Sequence, residues 1–169
     1  MMKQVLQKLA FHKGALNMSD KEEIRNLVEK YADAVCRRDE ADWSSTWCDN
    51  SLWNLGSIPP VEGKEAIVGL WVQAMSGFPF VAQLIHNGTV EVDGDKATGR
   101  WYIVEHLQFP EKDEEGNPTG MFNIGVYQDK YIKENGEWLF SERHYGVIYN
   151  DGGKGNMSGT ANPYPEMLK

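Results

Sequence analysis

Residues 80–109 read FVAQLIHNGTVEVDGDKATGRWYIVEHLQF, and the fold turns on how their side chains alternate. Trp101, Ile103, Glu105, Leu107 and Phe109 take every second position, with Arg100, Tyr102, His106 and Gln108 between them. A period of two belongs to a half-buried strand, so the odd positions should face a core, with Glu105 the only charge among them. In the first half Ala82, Leu84, His86, Gly88, Val90 and Val92 share one face, while Gln83, Asn87, Thr89 and Glu91 share the other. Strict alternation therefore turns His86 inward. Asp93-Gly94-Asp95 supplies an Asp-Gly turn, which predicts a hairpin of strands 81–92 and 97–109.

Downstream the same period continues in strands 120–133 and 137–149. Pro110 to Pro118, with three Glu, one Asp and a Gly, reads as a solvated loop, and Glu134-Asn135-Gly136 as a turn. Upstream the period is helical. Ser19 and Glu22 form a capping-box pattern, and Ile24, Leu27, Val28, Tyr31 and Val35 make one apolar stripe on a helix ending near Arg37. A shorter helix from Asp39 is expected to carry Trp43 and Trp47 one turn apart, followed by a brief strand, Ser51 to Leu55. Pro59-Pro60 forces a loop, and a third helix, Lys64 to Met75, presents Ile67, Val68, Trp71 and Met75. Helices first and a strand meander after predict an α+β domain: a cone-shaped barrel with three N-terminal helices packed in the concave face of a strongly bent, mainly antiparallel sheet. Residues 1–18 read as an N-terminal extension, 19–150 as the cone domain, and 151–169 as a flexible C-terminal tail placed to act as a lid or an arm.

At 169 residues one domain suffices. The net charge of −8 repels phosphate backbones and anionic lipid heads, so neither nucleic acid nor a membrane surface is an expected partner. Two cysteines, Cys36 and Cys48, lack zinc-site spacing and a disulfide framework, which points to a reducing cytoplasm. No apolar run approaches the roughly 18 residues that span a bilayer. A small hydrophobic molecule is the ligand these features leave open. No metal-ligand spacing occurs, and the chemistry below needs no cofactor. Tyr102, Val104 and His106 make the other face of their strand more apolar than solvent favours, so a homo-oligomer, trimer or dimer, is expected.

A carboxylate and an imidazole facing an apolar interior must be paired or hydrogen-bonded, since an isolated buried charge costs several kcal/mol. Glu105 and an inward His86 are thus the leading catalytic pair, with the Tyr31 phenol on the buried helix stripe as a donor to a ligand carbonyl. Cys36, Trp53, Trp71, Trp101, Ile103 and His144 are assigned to substrate binding.

Tyr31 through Trp53 (YADAVCRRDEADWSSTWCDNSLW), His86-Asn87-Gly88-Thr89, the run ATGRWYIVEHLQF and QDKYIKENGEW together resemble the SnoaL-like (nuclear transport factor 2-like) superfamily over about residues 20–150. The likeness is clearest with bile acid 7α-dehydratases and hexachlorocyclohexane dehydrochlorinases, with scytalone dehydratase more distant. It implies the same cone, with a pocket between the first helix and the concave sheet. It also implies an acid/base dyad of a strand histidine, matched by His86, and an aspartate late in the first helix, whose place Cys36 takes. Tyr31 matches a tyrosine one turn earlier, and Glu105 falls where the bile acid enzymes have an aspartate. Their basic residue late in the last strand has no match, because Val147 stands there. The expected function is a cofactor-independent lyase or isomerase that removes a proton next to a carbonyl of a ring-containing substrate, with His86 as base. The alternatives are a non-catalytic small-molecule-binding protein of the same fold and a structural protein like a dioxygenase small subunit.

Overall fold

The computed structural model describes residues 19–152 and 160–161. The extension 1–18 and most of the tail read from 151–169 lie outside the described residues. Helix α1 runs Asp20–Arg37, α2 Glu40–Ser44 and α3 Lys64–Gly77. The strands are β1 Trp47–Asn54, β2 Val61–Glu62, β3 Phe80–Asp93, β4 Lys96–Lys112, β5 Pro118–Glu134, β6 Glu137–Asn150 and β7 Thr160–Ala161. Their order in one curled sheet is β2-β1-β6-β5-β4-β3, antiparallel except for β1 against β6, with β7 added to the end of β6. The helices fill the concave side, as the alternation predicted.

Local chemistry sets the ends of α1. Ser19 accepts from Glu22 N while its own N–H donates to the Glu22 carboxylate at 2.8 Å, completing the capping box. At the far end Arg38 adopts φ 56°, and its N–H satisfies the carbonyls of Ala34 and Val35. The stripe then buries Ile24, Leu27, Val28, Tyr31 and Val35 as expected.

Trp47 departs from the sequence reading. The short helix stops at Ser44, and Phe140 N–H takes the Thr46 carbonyl at 2.9 Å, starting β1 alongside β6 four residues before the expected Ser51. Tertiary pairing overrides a weak helical pattern here. Trp43 and Trp47 still both reach the core, where Trp43 stacks on Trp71 with centroids 4.7 Å apart.

A larger departure lies in β3. Ile85 pairs with Ile103, but Gly88 pairs with Trp101, so His86 and Asn87 together stand opposite Tyr102. This is a β-bulge, and it reverses the strand's facing. Before it Val81 and Gln83 are buried and Leu84 is 54 % exposed; after it the even residues return inward. Gly88 permits the bulge because a Cβ there would lie 2.2 Å from Cε3 of Trp101. We therefore expect Gly88→Ala to lower the free energy of unfolding by about 2 kcal/mol through overpacking against Trp101, measured by urea titration. An unchanged midpoint would mean that the bulge tolerates a side chain.

Candidate functional site

Between α1, α3 and the inner face of β4–β6 lies a cavity of about 420 Å³. Its walls are apolar: Trp53, Leu55, Trp71, Met75, Phe78, Leu107, Met121 and Val147. Its floor is polar, built from Tyr31, Gln83, Glu105, Asn123, Tyr127 and Tyr145, with Asn150 beside it. Glu105 is the only acidic side chain of the lining among the described residues. A more open hollow of about 650 Å³ near the β3–β4 turn collects Glu91, Lys96, Lys130 and Glu142 and lacks this separation of apolar wall and polar floor.

The register of β4 delivers Glu105 to the floor, two residues beyond fully buried Ile103. Gln83 Nε2 donates to Glu105 Oε1 at 2.8 Å, and Tyr145 OH donates to Oε2 at 2.6 Å. Gln83 Nε2 also donates to the Tyr127 hydroxyl at 3.2 Å. Both carboxylate oxygens are thus held by neutral donors, and each keeps lone-pair capacity toward the cavity. Tyr145 reaches this place because Gly125 on β5 is bare: a Cβ there would lie 2.2 Å from the Tyr145 ring. Burial pushes the Tyr31 phenol up to about 12, and it pushes Tyr127 and Tyr145 upward as well, with Glu105 adding to the rise in each. The three phenols are therefore neutral donors at physiological pH.

Beneath the floor, Arg143 and Asp129 form a bidentate pair, Nε–Oδ1 3.0 Å and Nη2–Oδ2 3.2 Å, with both residues fully buried. Tyr131 OH donates to Asp129 Oδ2 at 2.8 Å and accepts from Trp101 Nε1 at 2.8 Å.

Of the residues assigned from sequence, Tyr31, Glu105, Trp53 and Trp71 meet in the cavity. His86 does not: the bulge leaves it exposed on the other side of the sheet, and the inward facing expected for it is corrected. Cys36 is exposed at the edge of the α1 stripe, and Val35 lines the cavity in its place. Its Sγ accepts from Gln83 N at 3.3 Å and donates to Gln83 O at 3.4 Å. The strand position that packs on Cys36 is therefore Gln83, and among the described residues no imidazole is bonded to Cys36. Trp101 and Ile103 point inward but lie below the cavity, Trp101 bonded to Tyr131 and Ile103 packed with Tyr127 and Tyr145. His144 sits outside it, beside Asn54 Nδ2 at 3.3 Å and Glu142 Oε2 at 3.2 Å, because on β6 the odd residues Arg143 and Tyr145 are the inward ones. Gln83, Asn123, Tyr127, Tyr145 and Asn150 escaped the sequence reading. The alternation of Asn123, Tyr127 and Tyr131 on β5 was the available signal for three inward polar side chains.

Among the described residues no three His, Cys, Asp or Glu side chains are grouped as metal ligands would be, and no helix is long and apolar enough to cross a membrane. Residues 17–144 match the model of the SnoaL-like domain. The chain belongs to that family. A gamma-hexachlorocyclohexane dehydrochlorinase of Sphingobium indicum is 27 % identical over 127 residues, covering 72 % of this chain and 76 % of the relative. An uncharacterized protein of Mycobacterium tuberculosis is 23 % identical over 128 residues, 75 % of this chain and 84 % of its own. Among solved structures, a type 2 hexachlorocyclohexane dehydrochlorinase superposes with TM-score 0.70 at 22 % identity, covering 86 % of this chain and 94 % of that one. A putative scytalone dehydratase from Novosphingobium aromaticivorans gives TM-score 0.70 at 13 % identity, covering 96 % and 97 %. At these identities the structural likeness establishes the SnoaL-like cone, and the family includes dehydratases and dehydrochlorinases.

The raised phenols carry a pH signature. The folded state keeps the Tyr31 proton up to about pH 12, whereas an unfolded chain loses it near pH 10.0. Between these values the folded state binds more protons, so stability must fall as pH rises from 10 toward 12. We expect the urea midpoint to drop across that window and the tyrosinate absorbance of the folded protein to lag behind that of the urea-unfolded chain. A Tyr31→Phe variant should lessen the drop and leave the part due to Tyr127, Tyr131 and Tyr145, which burial also raises; a flat profile in the parent chain would contradict the burial argument.

Proposed function

We propose that this SnoaL-like protein is a cofactor-independent lyase or isomerase acting on a hydrophobic, ring-containing carbonyl compound, with Glu105 as the base. The single observation that carries the reading is Glu105 itself: among the described residues, the only carboxylate of an apolar cavity, oriented by two neutral donors. Glu105 takes a proton from the carbon next to the substrate carbonyl, and the electron pair of that C–H bond moves to the carbonyl oxygen as an enolate. Tyr31 and Tyr127, neutral and adjacent, donate to that oxygen. The enolate then collapses in one of two balanced ways. In a substrate with a β,γ double bond the pair is shared with the γ carbon, the Glu105 proton is delivered there and the double bond moves into conjugation, giving an isomer. In a substrate with a hydroxyl group β to the carbonyl, the enolate pair forms the α,β double bond as that group leaves with the proton as water.

A second reading, a non-catalytic small-molecule carrier, draws support from Cys36 and Gln83. These two packed positions hold neither a carboxylate nor an imidazole, so the dyad implied by the family likeness is missing at the helix. The two readings separate in one measurement, deuterium exchange of the α-hydrogens of cyclic ketones such as 2-tetralone in D2O, followed by NMR. We expect exchange catalysed by the parent chain, a loss of about 10²- to 10⁴-fold in Glu105→Gln, and no change in His86→Ala. Ketone binding without exchange in the parent chain would favour the carrier.

The outer sheet face supports a homo-oligomer, trimer or dimer, as part of the same proposal. Phe80, His106, Phe122 and Tyr149 run edge to face across β3 to β6 with centroids 6.0 to 6.5 Å apart, and Phe80 is 48 % exposed. Such a contiguous aromatic row is more apolar than a solvated face needs. Sedimentation should give an oligomer that Leu84→Glu weakens, and a monomeric parent chain would refute the interface.

A further inference from the structure

The cavity floor rests on a charge that the mechanism above does not use. The guanidinium carbon of Arg143 lies 3.7 Å from the ring centroid of Tyr127, 4.1 Å from that of Tyr31 and 4.2 Å from that of Phe140. Tyr127 and Tyr31 are floor residues, so the cation is stacked directly behind the phenols facing the ligand. Its counter-charge is on the far side. Asp129 stands level with Arg143 in the β5–β6 register, and Tyr127 pairs with Tyr145 one step nearer the cavity. Asp129 also accepts from Tyr131, and neither of these nor Arg143 lines the cavity, whereas the two phenols stacked on the guanidinium line it together with Gln83 and Glu105. Two of the guanidinium nitrogens are spent on Asp129, and Nη1 has no hydrogen-bond partner among the described residues.

Such a pair is neutral as a whole, which lets it be buried, and it is polar along a fixed direction. Negative charge gathering on an oxygen bonded to Tyr31 or Tyr127 meets the positive end first. The rings are polarizable and lie in stacking contact, so they transmit the field without a solvent gap. Arg143 pulls both phenols toward greater acidity, against the larger opposing effect of burial.

We propose that Arg143, oriented by Asp129, is a positioning residue that stabilises enolate charge through the rings of Tyr31 and Tyr127 without touching the substrate. The inference rests on the proton-abstraction reading of Glu105, and it assigns a directional electrostatic role to a pair that otherwise reads as core packing.

The test needs no knowledge of the substrate. The Glu105→Gln variant mimics the base after it has taken the proton, and 4-nitrophenol serves as an enolate mimic whose ionised form absorbs visible light. Bound to Glu105→Gln, 4-nitrophenol should ionise at a lower pH than it does free in solution. Adding Asp129→Leu and Arg143→Met together removes the pair as apolar side chains and should shift the bound ionisation upward, cutting the phenolate-to-phenol ratio at least tenfold. Adding Asp129→Asn instead leaves the cation without its counter-charge and should shift it downward. Affinity for 4-nitrotoluene, which cannot ionise, should change little in either. A purely structural pair would weaken both ligands in both backgrounds, so opposite signs for the two variants distinguish the field from the packing, and if only one variant folds its own sign decides. Equal ionisation with and without the pair overturns the role of Arg143 and leaves Glu105 standing. If 4-nitrophenol stays neutral in Glu105→Gln with Arg143 intact, the proton-abstraction reading fails and this inference fails with it.

Discussion

His86 and Asn87 share one place opposite Tyr102, and the interior of the cone depends on that single extra residue. A strand that gains one residue turns its later side chains to the other face. Ahead of the bulge, Gln83 reaches the floor and Val81 the wall; behind it, Val90 and Val92 reach the core. Without it, one half of β3 would bury the wrong set. The bulge in turn depends on Gly88, whose bare Cα lets the Trp101 ring lie against the backbone. The same device recurs where Gly125 makes room for Tyr145, so two glycines on the inner face place two large rings.

With the facing settled, the chemistry follows from a division between wall and floor. The apolar walls leave the floor in a medium of low polarity, which strengthens the polar interactions there. Gln83 and Tyr145 meet the two Glu105 oxygens without bringing a positive charge beside them. The cation that the site does contain, Arg143, is separated from the carboxylate by rings and tied to Asp129. In the proposed reaction, positive charge would thus be available to an anionic intermediate without pairing directly with Glu105.

Much of the architecture was legible because it rests on periodicity. The α1 stripe, the inward odd face of β4 and the hairpin turns at Gly94 and Gly136 all follow from residue type and spacing. Glu105 was found on the same ground, as a charge on an apolar face. His86 was misplaced because a bulge has no periodicity of its own; alternation carried through it inverts everything on one side. The likeness to dehydratases reinforced the error by offering His86 as the matching histidine, while the side chain that packs on Cys36 is Gln83. Trp47 was misassigned for a different reason: its neighbours favour a helix only weakly, and the partner that draws it into β1 lies near residue 140. Tyr127, Tyr145 and Arg143 required the pairing of β5 with β6, which spacing alone did not supply.

The first turn of α1 is fastened to the last hairpin of the sheet. Lys133 Nζ donates to Asp20 Oδ1 at 2.6 Å and to Glu23 Oε2 at 3.2 Å, and Trp138 Nε1 donates to the same Asp20 oxygen at 3.0 Å. These partners are 110 to 118 residues apart, so α1 receives these anchors only after β5 and the start of β6 have been synthesised. The parallel pairing of β1 with β6 imposes the same wait on the first strand. Closing so long a loop costs more entropy than forming the consecutive hairpins β3–β4 and β4–β5. The cone therefore closes only once β6 is in place.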